Sequence, residues 1–303
     1  MSTAETTAPT VESVSTAKGR PPKETEKRSW FSRIVLVVLC LIWTIPTIGL
    51  LVTSVRPQLD TEQSGWWSAL FNPFSSSWTL QNYDEVLNAN GMFDSFINSI
   101  VVTVPATIIP ILFAAFAAYA FTFMRFPGRD IIFVIIIAMM VVPIQSTFVT
   151  LLQRFGNDGW DINGTFLALW LLHTTFGMPL AIYILRNYMG TLPKSVIESA
   201  EIDGASHYQT FWRLIVPMSV PALAAYAIFQ FLWVWNDLLI ALLFLGFDNA
   251  TVTVNLSQLL GRLGEGWQLL TAAAFVTMIV PLIVFFALQR FFVRGMTSGA
   301  VKG

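Results

Sequence analysis

The chain alternates long stretches without charge and short stretches that carry it. Runs lacking Asp, Glu, Lys and Arg cover 34–55, 95–124, 131–153, 162–185, 214–236 and 266–289. Each is longer than the about 20 residues a helix needs to cross the hydrocarbon core of a bilayer. They predict an all-α integral membrane fold with six spans, near 34–54, 96–121, 131–150, 164–184, 218–243 and 268–289, inside a domain covering 30–294. Residues 1–28 are rich in Thr, Ser, Glu, Lys and Pro without apolar periodicity, which reads as a disordered tail. The apolar run beyond Arg33 is of membrane length, so the tail is not a cleaved secretion signal and the first span stays as an anchor. A short tail, 295–303, closes the chain.

Charge then orients the spans. Placing the N-terminus inside puts 14 of the 17 Lys and Arg residues in the tails and in the loops at 122–130 and 186–213, against Arg56, Arg154 and Arg262 opposite. That bias predicts both termini in the cytoplasm of a bacterial-type cell membrane. A hydrophobic share of 55% and a charged share of 12% agree with a polytopic membrane protein. Pro46, Pro105, Pro110, Pro143, Pro179, Pro221 and Pro281 fall in the spans or their approaches, which predicts bent helices packed around a pathway. In the outer loop 56–94, Trp66, Trp67, Phe71, Phe74 and Trp78 suit the headgroup boundary, or a surface for an external partner.

One charged interruption stands out, residues 195–217. Ser195 with Glu198, and Ser206 with Gln209, each place a hydroxyl three residues before a side chain that can cap back. Asp203-Gly204 lies between them, so the first helix should stop at a left-handed glycine and a second should start at a new angle.

This stretch resembles the EAA loop of ABC importer permeases, whose pattern is Glu-Ala-Ala, three residues, Gly, nine residues, then Ile-x-Leu-Pro. Glu198, Ala200, Gly204 and Pro217 fall on it at the right spacing, with Ser199, Leu214 and Val216 as replacements. The resemblance implies a coupling helix docking on a separate ATPase through Glu198, Ala200, Asp203, Gly204 and Pro217. Glu198 and Gly204 also have a plain reading as cap and helix stop. The C-terminal 289–303 segment and Trp235-Asn236-Asp237 look like those of the carbohydrate branch, most of all its G-type maltose and α-glucoside permeases. By that resemblance the chain would form half of a translocation pathway for a sugar, such as a maltose- or trehalose-like α-glucoside. Its partners would be a second related permease, a dimer of ATPases holding ATP and Mg, and an extracytoplasmic sugar-binding protein. Gly295, Gly299 and Lys302 would contact the ATPase. The same fold could instead serve amino acids, peptides or ions; a nonenergised channel or an intramembrane enzyme is a reading from another class.

The sequence carries no signature of chemistry of its own. It contains no Gly-x-x-x-x-Gly-Lys phosphate loop, no His-Glu-x-x-His and no Gly-x-Ser-x-Gly. Cys40 reads as a small buried residue of the first span. His173 reads as a packed polar residue and His207 as a solvated one. Gln230, Trp233 and Asp237 are offset by three and four residues, hence on one helical face, with Asn236 beside them. A carboxylate in a span costs a few kcal/mol and should face protein or water. This stripe is either part of the solute path, polar glue against a second permease, or, for Asp237, a group reaching water near the span's outer end.

Overall fold

The structure, a computed structural model, describes residues 30–89, 91–259 and 266–300. The described residues are helical and contain no strand. In order they form α1 (Trp30–Ser54), α2 (Gln58–Gln63), α3 (Trp66–Phe71), α4 (Gln81–Asp84), α5 (Met92–Phe123), α6 (Arg129–Met139), α7 (Phe148–Phe155), α8 (Phe166–Met189), α9 (Lys194–Ile202), α10 (His207–Thr210), α11 (Val216–Trp235), α12 (Leu239–Phe244), α13 (Val252–Gln258) and α14 (Trp267–Ala300). The expected tail at 1–28 lies outside the described residues. The chain divides into two compact units, residues 1–46 and 47–303. The first holds the start of α1, whose side chains through Pro46, Cys40 included, are exposed. Cys40 is therefore not the buried small residue expected.

In the second unit, α5, α8, α11 and α14 make the core. Close approach of α5 and α8 follows from small residues: Ala114, Ala115 and Ala118 on one, Ala168, Gly177 and Ala181 on the other, with all five of the alanines buried. Three apolar clusters follow along the bundle. One joins Tyr119, Leu185, Met189, Ile197, Phe211 and Ile215. A second joins Val102, Phe148, Leu169, Leu172, Val234 and Phe244. The third joins Met92, Phe231, Trp235 and Ala272 on α14.

Among the described residues, five helices are long and apolar enough to cross a membrane, and six spans result if one bent pair counts as a single span. That pair is the span expected at 131–150. It is two pieces, Arg129–Met139 and Ile144–Phe155, bent by 92°. Pro143 is the cause: it removes a donor and pushes Val142 out of helical conformation. The span expected at 218–243 also differs. A continuous helix runs from His207 through α10, a wide π-helical turn at Phe211–Ile215 and α11, and stops at Trp235; α12 starts afresh at Leu239. The expected new start at 218 is absent: Pro217 lies inside the continuous helix, directly after the π-helical turn. Upstream, the helix widens so that the Val216 N–H bonds the Phe211 carbonyl, five residues back.

The remaining prolines stay inside helices, and in α5 the reason is visible. A proline withholds the N–H that would bond the carbonyl four residues earlier. For Pro105 that carbonyl is Val101, and the Trp170 indole N–H on α8 bonds it at 2.9 Å. For Pro110 it is Ala106, and the Gln230 amide on α11 bonds it at 3.1 Å. Each repair ties α5 to a neighbouring helix.

Candidate functional site: the coupling loop and the α11–α12 break

α9 begins at Lys194 with Pro193 as its N-cap and no side-chain cap. Ser195 is therefore inside the helix, where its carbonyl accepts from Ser199 Oγ at 2.8 Å, and the expected Ser195–Glu198 box does not form. Proline supplies the non-helical start instead, and Glu198 is exposed. The other end follows expectation closely. The Gly204 N–H bonds the Glu201 carbonyl at 3.0 Å and the Ala205 N–H bonds the Ala200 carbonyl at 2.9 Å, the paired bonds of a Schellman stop. Gly204 has φ +74, and Asp203 precedes it as the C-cap. Ser206 then caps α10, with Gln209 N–H donating to Ser206 Oγ at 3.3 Å and Ser206 N–H donating to Gln209 Oε1 at 2.9 Å.

Packing fixes how this loop is presented. Ile197 and Ala200 are buried at 8% exposure, Ile197 in the cluster with Phe211, Ile215 and Tyr119, so one face of α9 is anchored. The opposite face is open, with Ile202 86% and Tyr208 71% exposed among Glu198, Glu201 and Asp203. Neither Ile202 nor Tyr208 was expected; an isoleucine immediately before an Asp-Gly stop was the available signal. His207 is exposed, yet its Nδ1 lies 2.9 Å from the Tyr119 hydroxyl, which ties the loop to α5. A cavity of about 930 Å³ adjoins α9, lined by Arg125, Arg129, Arg186 and Lys194 together with Glu198 and Glu201, among others.

The polar stripe resolves into a different object. Gln230 is completely buried: its amide donates to the Ala106 and His173 carbonyls at 3.1 and 3.3 Å, and its oxygen accepts from the Tyr226 hydroxyl at 2.8 Å. A Cβ on Gly177 would lie 2.6 Å from the Gln230 oxygen, so glycine is required there to admit the amide. Trp233 meets the His173 ring edge-on at 5.3 Å. Asp237 lies beyond α11, where its carboxylate caps α12 by accepting from Ile240 and Ala241 N–H at 3.4 and 2.9 Å. The oxygen that accepts from Ala241, Oδ2, also stands 3.8 Å from His173 Nε2. Gln230, Trp233 and Asp237 thus converge on His173 of α8, while exposed Asn236 bonds the Leu232 carbonyl of its own helix at 2.7 Å. Asp237 is not a residue of a continuous span, because that span ends before it.

At the C-terminus, α14 continues as helix through Gly295 and Gly299 to Ala300. Lys302 lies outside the described residues.

The family described as the inner membrane component of binding-protein-dependent transport systems matches residues 110–298. This chain belongs to that family. The permease is 52% identical over 272 residues to the osmoprotective compounds uptake permease protein GgtD of Synechocystis, covering 89% of this chain and 91% of the relative. It is 38% identical to the alpha-glucoside transport system permease protein AglG of Rhizobium meliloti, covering 93% and 99% of the two chains. The trehalose/maltose transport system permease protein MalG of Thermococcus litoralis is 31% identical over 89% of this chain and 94% of its own. The fold of this chain matches a chain in the crystal structure of a bacterial ABC transporter involved in alginate import, with TM-score 0.70, 20% identity and coverage of 90% and 100%. The permease is accordingly a multi-pass inner membrane subunit of an ABC importer, a transport component rather than a catalyst.

Proposed function

We propose that the permease forms half of the translocation pathway of an ATP-driven carbohydrate importer, with a maltose- or trehalose-like α-glucoside as cargo. Energy arrives from a separate ATPase dimer, holding ATP and Mg, that docks on the 195–217 loop. The observation that carries the coupling is the stop at Gly204: a loop anchored by Ile197 and Ala200 presents Ile202 and Tyr208 to a partner. A second related permease completes the path and an extracytoplasmic binding protein delivers the sugar. ATP closes the dimer, the loop moves with it, and the permease pair shifts between inward-open and outward-open populations. Trp233, Asn236 and Asp237 contribute to the path at the α11–α12 break, and Gly295, Gly299 and Lys302 meet the ATPase. Both termini and the coupling loop lie in the cytoplasm.

Similarity to AglG and MalG supports the α-glucoside. Similarity to GgtD favours a second reading, an osmoprotective solute. Thermal stabilisation of the cognate binding protein separates them: maltose should raise its melting temperature on the α-glucoside reading, and a non-glucoside osmoprotectant such as glycine betaine on the second. Stabilisation by amino acids or peptides alone overturns the carbohydrate assignment. Orientation is read by impermeant thiol labelling of Glu201→Cys and Asp158→Cys in a Cys40→Ala background, expected from inside and outside respectively. Gly159 cannot serve as the outer probe, since a Cβ there would collide with the Arg154 carbonyl oxygen.

A further inference from the structure

At the end of α8 remote from the coupling loop, residues 156–165 close into a tight turn. Trp160 N–H bonds the Arg154 carbonyl at 2.8 Å, Asp161 N–H the Gly156 carbonyl at 3.1 Å, and Ile162 and Asn163 N–H share the Phe155 carbonyl at 2.9 and 3.0 Å. Asp161 is held at φ +52, a left-handed conformation that side-chain-bearing residues adopt reluctantly. Gly159 is obligatory for the close approach to Arg154. Such strain persists only where the surroundings enforce it, and it concentrates at functional positions. Its effect here is to lay the Trp160 ring over Phe155, with centroids 5.5 Å apart and planes 21° apart, while Trp160 stays 59% exposed. One face of the indole is supported and the other is open.

Beside the indole lies a cavity of about 300 Å³ lined by Arg154, Trp160, Leu171, Thr175 and Phe176, among others. The Arg154 side chain has no hydrogen bond or ion pair among the described residues, and no carboxylate lines the cavity. Pro179 withholds the N–H that would bond the Thr175 carbonyl. In α5, side chains from neighbouring helices repair two such carbonyls; among the described residues no side chain reaches this one. Leu151, Thr175 and Phe176 also line a second cavity of about 440 Å³ that passes Ile144 at the α6–α7 break, so the two are neighbours that share these side chains.

We propose that the Trp160–Arg154 cavity is a sugar-ring subsite on this permease's own wall of the path. The inference rests on the carbohydrate reading above. Sugars bind by laying C–H faces on an aromatic ring and by pairing neighbouring hydroxyls with planar groups. The open face of Trp160 supplies the first, and the guanidinium of Arg154, with five donors in a fixed fork, supplies the second. The volume stands at the small end of ligand pockets, which suits one ring rather than a whole oligosaccharide. An unpaired guanidinium repels cationic solutes and admits neutral ones. The closed turn holds the platform before the sugar arrives, which lowers the cost of ordering it on binding.

The test uses the complete importer, purified with its ATPase, second permease and binding protein and reconstituted in proteoliposomes. Radiolabelled maltose, trehalose and sucrose are the probes. At saturating binding protein, Trp160→Ala and Arg154→Gln should each lower maximal uptake about tenfold, the scale of one lost aromatic or charged contact, while Trp160→Phe keeps most of it. Complex yield should match wild type. In a Cys40→Ala background, the transported sugar should slow thiol labelling of Leu171→Cys. Unchanged uptake in both Trp160→Ala and Arg154→Gln, or labelling of Leu171→Cys indifferent to sugar, overturns the subsite. Loss of yield in Trp160→Ala, with equal loss for every sugar and no protection of Leu171→Cys, makes Trp160 a headgroup anchor instead. Uptake of none of the three by wild type removes the α-glucoside reading, and the subsite with it.

Discussion

The two ends of the long helix that runs from His207 to Trp235 are built by opposite means. At the His207 end, three nearby positions settle the geometry: Gly204 stops α9 and the Ser206–Gln209 box starts α10. The stop and the cap there use only bonds that span a few residues, with the His207–Tyr119 contact as the one long-range tie described. At the Trp235 end, the helix stops, Asp237 caps α12, and the polar groups beneath reach across the bundle to His173 and Ala106. Local geometry governs the first end and distant partners the second. The first can be presented to another subunit without unsettling the core, whereas the second cannot change without disturbing three helices.

Gly204→Val should show this division most sharply. Nothing lies within 4 Å of a Cβ there, so the penalty is the left-handed backbone alone, about 1–2 kcal/mol. Insertion and yield should be normal, while binding-protein-stimulated ATP hydrolysis and uptake are lost because α10 leaves α9 at a wrong angle. Normal stimulation would reduce the loop to a connector.

Gln230→Leu tests the other end. It strips a donor from the buried Ala106 carbonyl, at a cost of about 1–3 kcal/mol, while the Tyr226 hydroxyl keeps the Gly177 carbonyl as its acceptor. Lower thermal stability and yield in detergent are expected, with all sugars affected alike. A change of sugar preference at full stability would instead place Gln230 in the path. Asp237→Ala should cost about 0.5–2 kcal/mol through loss of the α12 cap. Asp237→Asn keeps an acceptor oxygen and should restore that stability. If Asn restores stability yet uptake stays low, the negative charge itself serves transport. Glu198→Ala should be smallest of all in stability, within about 0.5 kcal/mol, because it caps nothing. Any fall in stimulated ATP hydrolysis then reports contact with the ATPase, and unchanged hydrolysis excludes that role.

The difference between the ends also explains what could be read from residues alone. Apolar run length gave the helical membrane fold, and Asp203-Gly204 with Ser206-Gln209 gave the loop, since those signals act over one helical turn. The Ser195–Glu198 box misled because Pro193 began the helix first. Pro143 and Pro110 look alike in sequence. One breaks its span by 92° and the other does not, because Gln230, far along the chain, supplies the missing bond. The stripe of Gln230, Trp233 and Asp237 had the right spacing for a common target, but nothing in spacing could name His173 as that target. Ile202 escaped notice because an exposed isoleucine is ordinary until its surroundings are known.

The bond from Gln230 to Ala106 joins residues 124 apart, and this separation sets a schedule for biogenesis. Translation at about 5–20 residues per second leaves Ala106 with an unanswered acceptor for roughly ten seconds before its donor leaves the ribosome. Trp170 answers Val101 sooner, 69 residues on. During that interval the α5 segment must be sheltered by the insertion machinery or by water at its vestibule. A chain truncated after α8 should therefore insert and yet be recognised by membrane proteases as unfinished, whereas one extended through Trp235 should persist.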